Sequence, residues 1–120
     1  MNFEFTEEQK LFADSVRRFA LANLETDALK RAHDPRYPFA VAKLMSEQGL
    51  MGITIADADG GQGGSLMDAV IAIEQIAAVC PRSADVVQFG SFGPIRTFAE
   101  YGSAPQIGRA SCRERVSSVV

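Results

Sequence analysis

The chain has no tryptophan, one histidine and two cysteines among its 120 residues. His33, Cys80 and Cys112 are too few to close a zinc site without carboxylate help. No serine or cysteine nucleophile motif accompanies His33, which speaks against a hydrolytic triad. Long apolar runs are missing as well. None approaches the ~18 residues of a membrane span, and the polar, acidic opening Met1–Lys10 does not read as a secretory leader. Charge of one sign is also scarce: the net charge is −3, and no basic patch suggests a nucleic-acid partner. The length sets one domain and leaves no room for separate cofactor and substrate domains. What is present is ordinary globular material, 47% hydrophobic and 22% charged, enough for a modest core.

The two ends differ in character. Residues 1–106 carry 9 basic and 14 acidic side chains, whereas 107–120 carry Arg109, Arg113 and Arg115 against Glu114. The stretch Ile107-Gly108-Arg109-Ala110-Ser111-Cys112-Arg113-Glu114-Arg115-Val116 has no structural periodicity. It resembles a common sequencing adapter translated in frame. The expectation is a native domain over 1–106, incomplete at its C-terminal end, and a non-native tail over 107–120 that does not pack. Cys80 is then the only native cysteine, which suits a reducing cytoplasm.

Residues 1–106 read as helices. Thr6-Glu7-Glu8-Gln9 is a capping box, followed by an apolar face of Leu11, Phe12, Val16, Phe19 and Ala20 over about 6–23. Asp27–His33 adds a further turn or two. Pro38 fits the first turn of a second helix, and Gly49 stops it, with Leu50 folding back on Met45. Met51–Ile55 is an extended connector or single strand, and Asp57–Gly64 is a loop. Ser65, with Asp68 in the box position, caps a third helix whose broad apolar stripe includes Leu66, Val70, Ile73, Ile76, Ala77 and Cys80. Pro81 ends it. Ser83 starts a fourth helix to about Phe92, and Pro94–Tyr101 forms a fifth. Ser103-Ala104-Pro105-Gln106 is a helix start with no helix to follow. The fold class is all-α, a helical bundle of about five helices.

Chemistry is sparse. His33 beside Asp34 reads as a solvated helix-end residue. The glycines at 60, 61, 63 and 64 fit neither a phosphate loop, since Ser65-Leu66 stands where Lys-Ser/Thr is required, nor a dinucleotide fingerprint nor a calcium loop. A tight turn is the plain reading, and anion binding by the glycine amides stays open. Cys80 reads as a small buried hydrophobe. On the fourth helix Ala84, Val87, Gln88 and Ser91 share a small, mildly polar face. It admits either a neighbouring helix or a thin ligand.

The series Phe5-Thr6-Glu7-Glu8-Gln9, Arg18-Phe19-Ala20, Gln48-Gly49-Leu50-Met51-Gly52-Ile53, Asp59-Gly60-Gly61-Gln62-Gly63-Gly64-Ser65 and Tyr101-Gly102-Ser103-Ala104-Pro105-Gln106 resembles the N-terminal domain of acyl-CoA dehydrogenases. The resemblance covers essentially all of 1–106. It implies an oxidoreductase of fatty acid metabolism, a flavoprotein that removes two hydrogens from an acyl-CoA thioester and passes the hydride to FAD. It further implies an electron-transfer acceptor and a homo-oligomer; the expectation of a cytoplasmic setting rests on the cysteine usage above. The catalytic base and most flavin contacts belong to other domains in that family, so no catalytic residue is expected here, and this chain alone is expected neither to hold FAD nor to turn over. The part of the chain similar to the family's acyl-tail wall is Ala84–Phe92, which makes Val87, Gln88 and Ser91 the expected substrate-binding residues. No metal, nucleic acid or membrane partner is implied. The rival expectation is a non-enzymatic helical interaction module.

Overall fold

A computed structural model describes residues 1–110, and side chains as far as Ile107. The described residues form seven α-helices and one 3-10 turn, with no strand. These are α1 (Glu7–Asn23), α2 (Ala28–Ala32), α3 (Phe39–Glu47), the 3-10 turn Asp57–Asp59, α4 (Leu66–Ala77), α5 (Pro81–Ser91), α6 (Pro94–Tyr101) and α7 (Ala104–Ala110). No helix among the described residues is long and apolar enough to cross a membrane.

Helix α1 begins at the expected box. The Thr6 hydroxyl accepts from the Gln9 amide, and Gln9 Oε1 accepts from the Thr6 amide, while Glu7 and Glu8 face the positive helix end. Val16, Ala20 and Leu24 are buried, with Phe12 and Phe19 packed beside them. Leu11 is not part of that face: it is 68% exposed. Five residues before Val16, it points roughly 140° away from it at 100° per residue.

Helix α3 ends as its sequence dictates. Gly49 has φ +73°, its amide bonds to Ser46 O, and the Leu50 amide bonds to Met45 O at 2.9 Å. This pair of bonds is the Schellman stop, and it brings Leu50 into the core beside Met45.

Helix α4 packs between α1 and α5 and forms the centre of the bundle. Ser65 and Asp68 close the second capping box, with bonds of 2.8 and 3.1 Å. Its buried residues are Ala69, Ile71, Ala72 and Ile76, whereas Leu66 and Val70 of the expected face lie exposed. The two alanines explain the difference: small side chains let α1 and α5 approach on that side.

Three expectations are corrected. Pro81 does not end α4. That helix stops at Ala77, closed by bonds from Val79 and Cys80 back to Ile76, and Pro81 opens α5 at a position where its missing amide costs nothing. Ser83 accordingly lies inside α5 and is buried, not at its start. Met51–Ile55 is a run of turns and bends and makes no strand. Finally, Ser103 does start a helix. Its amide donates to Gln106 Oε1 at 2.9 Å, and α7 continues through Ile107, half-buried, to Ala110. Cys112, Val116 and the rest of the basic segment lie outside the described residues.

Candidate functional site

Helix α5 is the element to which the expected ligand face belongs. Cys80 sits just before it, fully buried, and its Sγ accepts from Ser83 Oγ at 3.1 Å and from Arg31 Nη1 at 3.2 Å. Arg31 Nη1 also donates to Leu24 O at 3.2 Å, which ties α2 to the end of α1. Burial pushes the Cys80 thiol up, but the Ser83 hydroxyl and amide and the Arg31 guanidinium outweigh it and hold the thiol below its ordinary value. Cys80 is thus buried as expected, yet in a polar setting that sequence reasoning missed. Arg31 stands 49 residues away from it along the chain, so no local signal could have shown the pair.

The four residues of the small face separate in the folded chain. Ala84, Val87 and Ser91 are buried, and Gln88 is exposed. Val87 belongs to the core cluster. Ser91 Oγ donates to Leu50 O at 3.1 Å, so its hydroxyl is already used. Outward from α5 stand Asp85, Gln88 and Phe89, the last 58% exposed.

The glycine loop lies against the same helix end through residues 50–55. Its amides from Gly60 to Gly64 are donated within the chain: Gly60 to Asp57 O, Gly61 to Ala56 O, Gln62 to Gly52 O, Gly63 to Ile55 O and Gly64 to Ile53 O. The Ser65 amide goes to Asp68 Oδ2. The glycine amides considered above for an anion are therefore already engaged within the chain. Gly61 is required by packing, for a Cβ there would lie 2.2 Å from Ile55 O.

Two shallow depressions lie on the described surface. One, about 470 Å³, lies between Arg31, Asp34, Arg36 and the edge-to-face pair Tyr37–Phe39, whose centroids are 4.8 Å apart. Its charges are engaged already. Arg36 donates to both oxygens of Asp34, at 3.0 and 2.8 Å, and holds that carboxyl well below the usual range. His33, alongside, is the exposed residue that closes α2, as expected. The other, about 350 Å³, is lined by Ser46, Glu47, Asp57, Gly60, Gly61 and Gln62. Its two carboxylates would repel a diphosphate. Neither fits a flavin dinucleotide. No group of acids, histidine and cysteine among the described residues could hold a metal ion.

Comparison with known proteins gives a consistent result. A family model described as acyl-CoA dehydrogenase, N-terminal domain, matches residues 6–110. The chain is 34% identical over 104 residues to a 3-sulfinopropanoyl-CoA desulfinase of Paraburkholderia xenovorans, covering 87% of this chain and 27% of the relative. It is 35% identical over 80 residues to a short-chain specific acyl-CoA dehydrogenase of Clostridium acetobutylicum, covering 67% and 21%. With an NADH-dependent acryloyl-CoA reductase of Anaerotignum propionicum it shares 32% over 106 residues, covering 88% and 27%. The chain thus spans about a quarter of the length of these relatives.

Proposed function

Because this chain belongs to the acyl-CoA dehydrogenase family, as its N-terminal domain, we propose that it forms one wall of the acyl pocket of an enzyme that dehydrogenates an acyl-CoA thioester between its α and β carbons. The names of the three relatives share the thioester and differ in the reaction. Dehydrogenation is favoured because a dehydrogenase relative stands beside the family match.

The observation that carries the wall is α5. Six of its eleven residues are buried, yet it presents Gln88 and Phe89 outward. In this reading the wall has depth. Gln88 meets the acyl chain, and Val87 and Ser91 lie beneath it and hold it in place. Deeply packed residues resist displacement, which a pocket that discriminates chain length needs.

FAD is the cofactor this reading implies, as the hydride acceptor. In this reading FAD and the base that removes the α proton are held by other parts of the enzyme. An acyl-CoA substrate, an electron-transfer acceptor, homo-oligomeric assembly and a cytoplasmic setting complete the proposal. The rival reading, a free-standing interaction module, has no observation in its favour beyond the exposed apolar residues, which an enzyme domain also needs for its neighbours.

A domain exchange tests the proposal. Residues 6–110 replace the corresponding segment of the Clostridium short-chain enzyme, and the chimera is assayed across acyl-CoA lengths. A flavin-loaded chimera that oxidises an acyl-CoA supports it. A chimera that folds and carries flavin but oxidises none overturns it.

A further inference from the structure

We propose that the seam between residues 50–54 and the end of α5 is a positioning device that sets how far the acyl-facing side of α5 stands out, with Gly90 and Met51 as the residues that fix the distance. The inference rests on the reading of α5 as a pocket wall.

The last carbonyls of a helix lack partners within it. In α5 two of them are met from a distant segment. The Gly52 amide donates to Gly90 O at 2.6 Å, and the Thr54 amide and hydroxyl both donate to Ser91 O. Ser91 Oγ returns a bond to Leu50 O. Residues 52–54 therefore act as the C-terminal cap of a helix almost forty positions later in the sequence. The segment itself is held from behind, since Gln62, Gly63 and Gly64 donate to the carbonyls of Gly52, Ile55 and Ile53. The glycine loop thus has a mechanical use: it braces the cap.

Side-chain packing sets the spacing. A Cβ on Gly90 would lie 2.3 Å from Met51 Cε and 2.7 Å from Met51 Sδ. Met51 is buried in the core, so its tip can move only by displacing neighbours. Gly90 and Gln88 are two positions apart, roughly 200° around the helix, which puts them on opposite sides. Their burial agrees: Gly90 is buried and Gln88 exposed. Thickness added at Gly90 is therefore transmitted outward to Gln88.

The test uses the chimera defined above, with activity measured against acyl-CoA length. Gln88→Leu is assayed in parallel to establish that α5 meets the substrate. Gly90→Ala is expected to lower kcat/KM for the longest accepted substrate relative to the shortest by about 10-fold, the scale of one misplaced methylene. Adding Met51→Ala to the same chain removes the atoms in collision and is expected to restore the original profile. An equal loss at every length, or a length shift that Met51→Ala does not reverse, overturns the proposal. Should Gly90→Ala fail to fold, Thr54→Val decides, because it removes one bond of the seam at nearly constant shape. A broadened length profile then supports the proposal, and an unchanged one overturns it. If the profile moves with Gln88 but not with the seam, the pocket wall stands and this inference falls. If neither moves it, both fall.

Discussion

Single atoms decide several outcomes in this chain. Gly61 is the strictest case. A Cβ there meets backbone, Ile55 O at 2.2 Å, which cannot rotate aside as a side chain can. Gly61→Ala is expected to cost about 1–3 kcal/mol or more, the range of overpacked sites, read as a drop in the urea midpoint. Gly90→Ala meets a side chain, the buried tip of Met51, rather than backbone and also gains about 0.5–1 kcal/mol of helix propensity, so its loss should be the smaller of the two. Ser91→Ala leaves Leu50 O without the hydroxyl that reaches it, and is expected to cost about 1–3 kcal/mol in the same measurement. Ser91→Phe would bring a ring into a fully buried site, which makes Gln88 the better residue for altering substrate length. Cys80 supplies a pH dependence. Its thiol is held below the ordinary value in the folded chain, so folding favours the thiolate. The resulting stability is fully present above the ordinary thiol value and is lost as pH falls through the folded one. The difference in unfolding free energy between the native chain and Cys80→Ala should therefore widen toward alkaline pH. Arg31→Met should narrow it, because it removes the cation that favours the thiolate. A difference that stays flat with pH would count against the Arg31–Cys80 interaction.

At the scale of elements, the two capping boxes invite comparison. Thr6 starts α1 at an exposed end, and Ser65 starts α4, which lies between α1 and α5. Each cap satisfies one orphan amide, and replacement by alanine costs typically about 1 kcal/mol. Fraying of α1 at Thr6 disturbs only surface residues, since its first buried residue is Val16. Fraying of α4 reaches Ala69 within its first turn and loosens two interfaces together. Ser65→Ala is therefore expected to lower the melting temperature more than Thr6→Ala. Amide exchange should show the same order, with α4 opening only alongside the whole core. Equal effects would mean that α4 is not the central element. Helix α5 shows the opposite arrangement. It has no side-chain cap at its start, where proline stands, and its end is capped by residues 52–54 rather than by its own sequence.

For the whole molecule, the decisive feature is apolar surface without a cover. Leu66, Met67 and Val70 share one side of α4 and are 50%, 46% and 44% exposed, while Phe89, Phe98 and Tyr101 stand out from α5 and α6. Of the other large apolar side chains on α4, α5 and the links after them, Ile71 and Ile76 are buried, and Ile73, Val79 and Phe92 are half-buried. The chain covers its central helix better than its composition suggested, and still leaves large side chains in water. Surfaces of this kind mark contact with other domains or subunits. The isolated chain is expected to associate reversibly as its concentration rises, and Val70→Lys with Phe89→Glu should reduce association without lowering the melting temperature. Sedimentation velocity distinguishes the outcomes, and a monomer at all concentrations would count against this account.

The sequence alone determined what depends on near neighbours. Capping boxes at Thr6 and Ser65, the Gly49 stop and the proline and glycine breaks act within about four residues, the reach of one helical turn. They fixed the all-α class and placed most helix ends. The order of those signals was also enough to show the family resemblance, because order along the chain needs no folding. The tertiary structure decided which side of each helix faces inward. Periodicity marked Leu66 and Val70 for the core, but the small side chains of Ala69 and Ala72 won that place by admitting close neighbours. The use of polar groups was decided in the same way. Glycine amides that seemed open to an anion are donated across the turn, and Ser91 and Cys80 find partners in Leu50 and Arg31, far off in sequence. Val87, Gln88 and Ser91 were equivalent as a spacing pattern. Only packing against α3, α4 and the cap at 52–54 turned two of them inward and left Gln88 facing out.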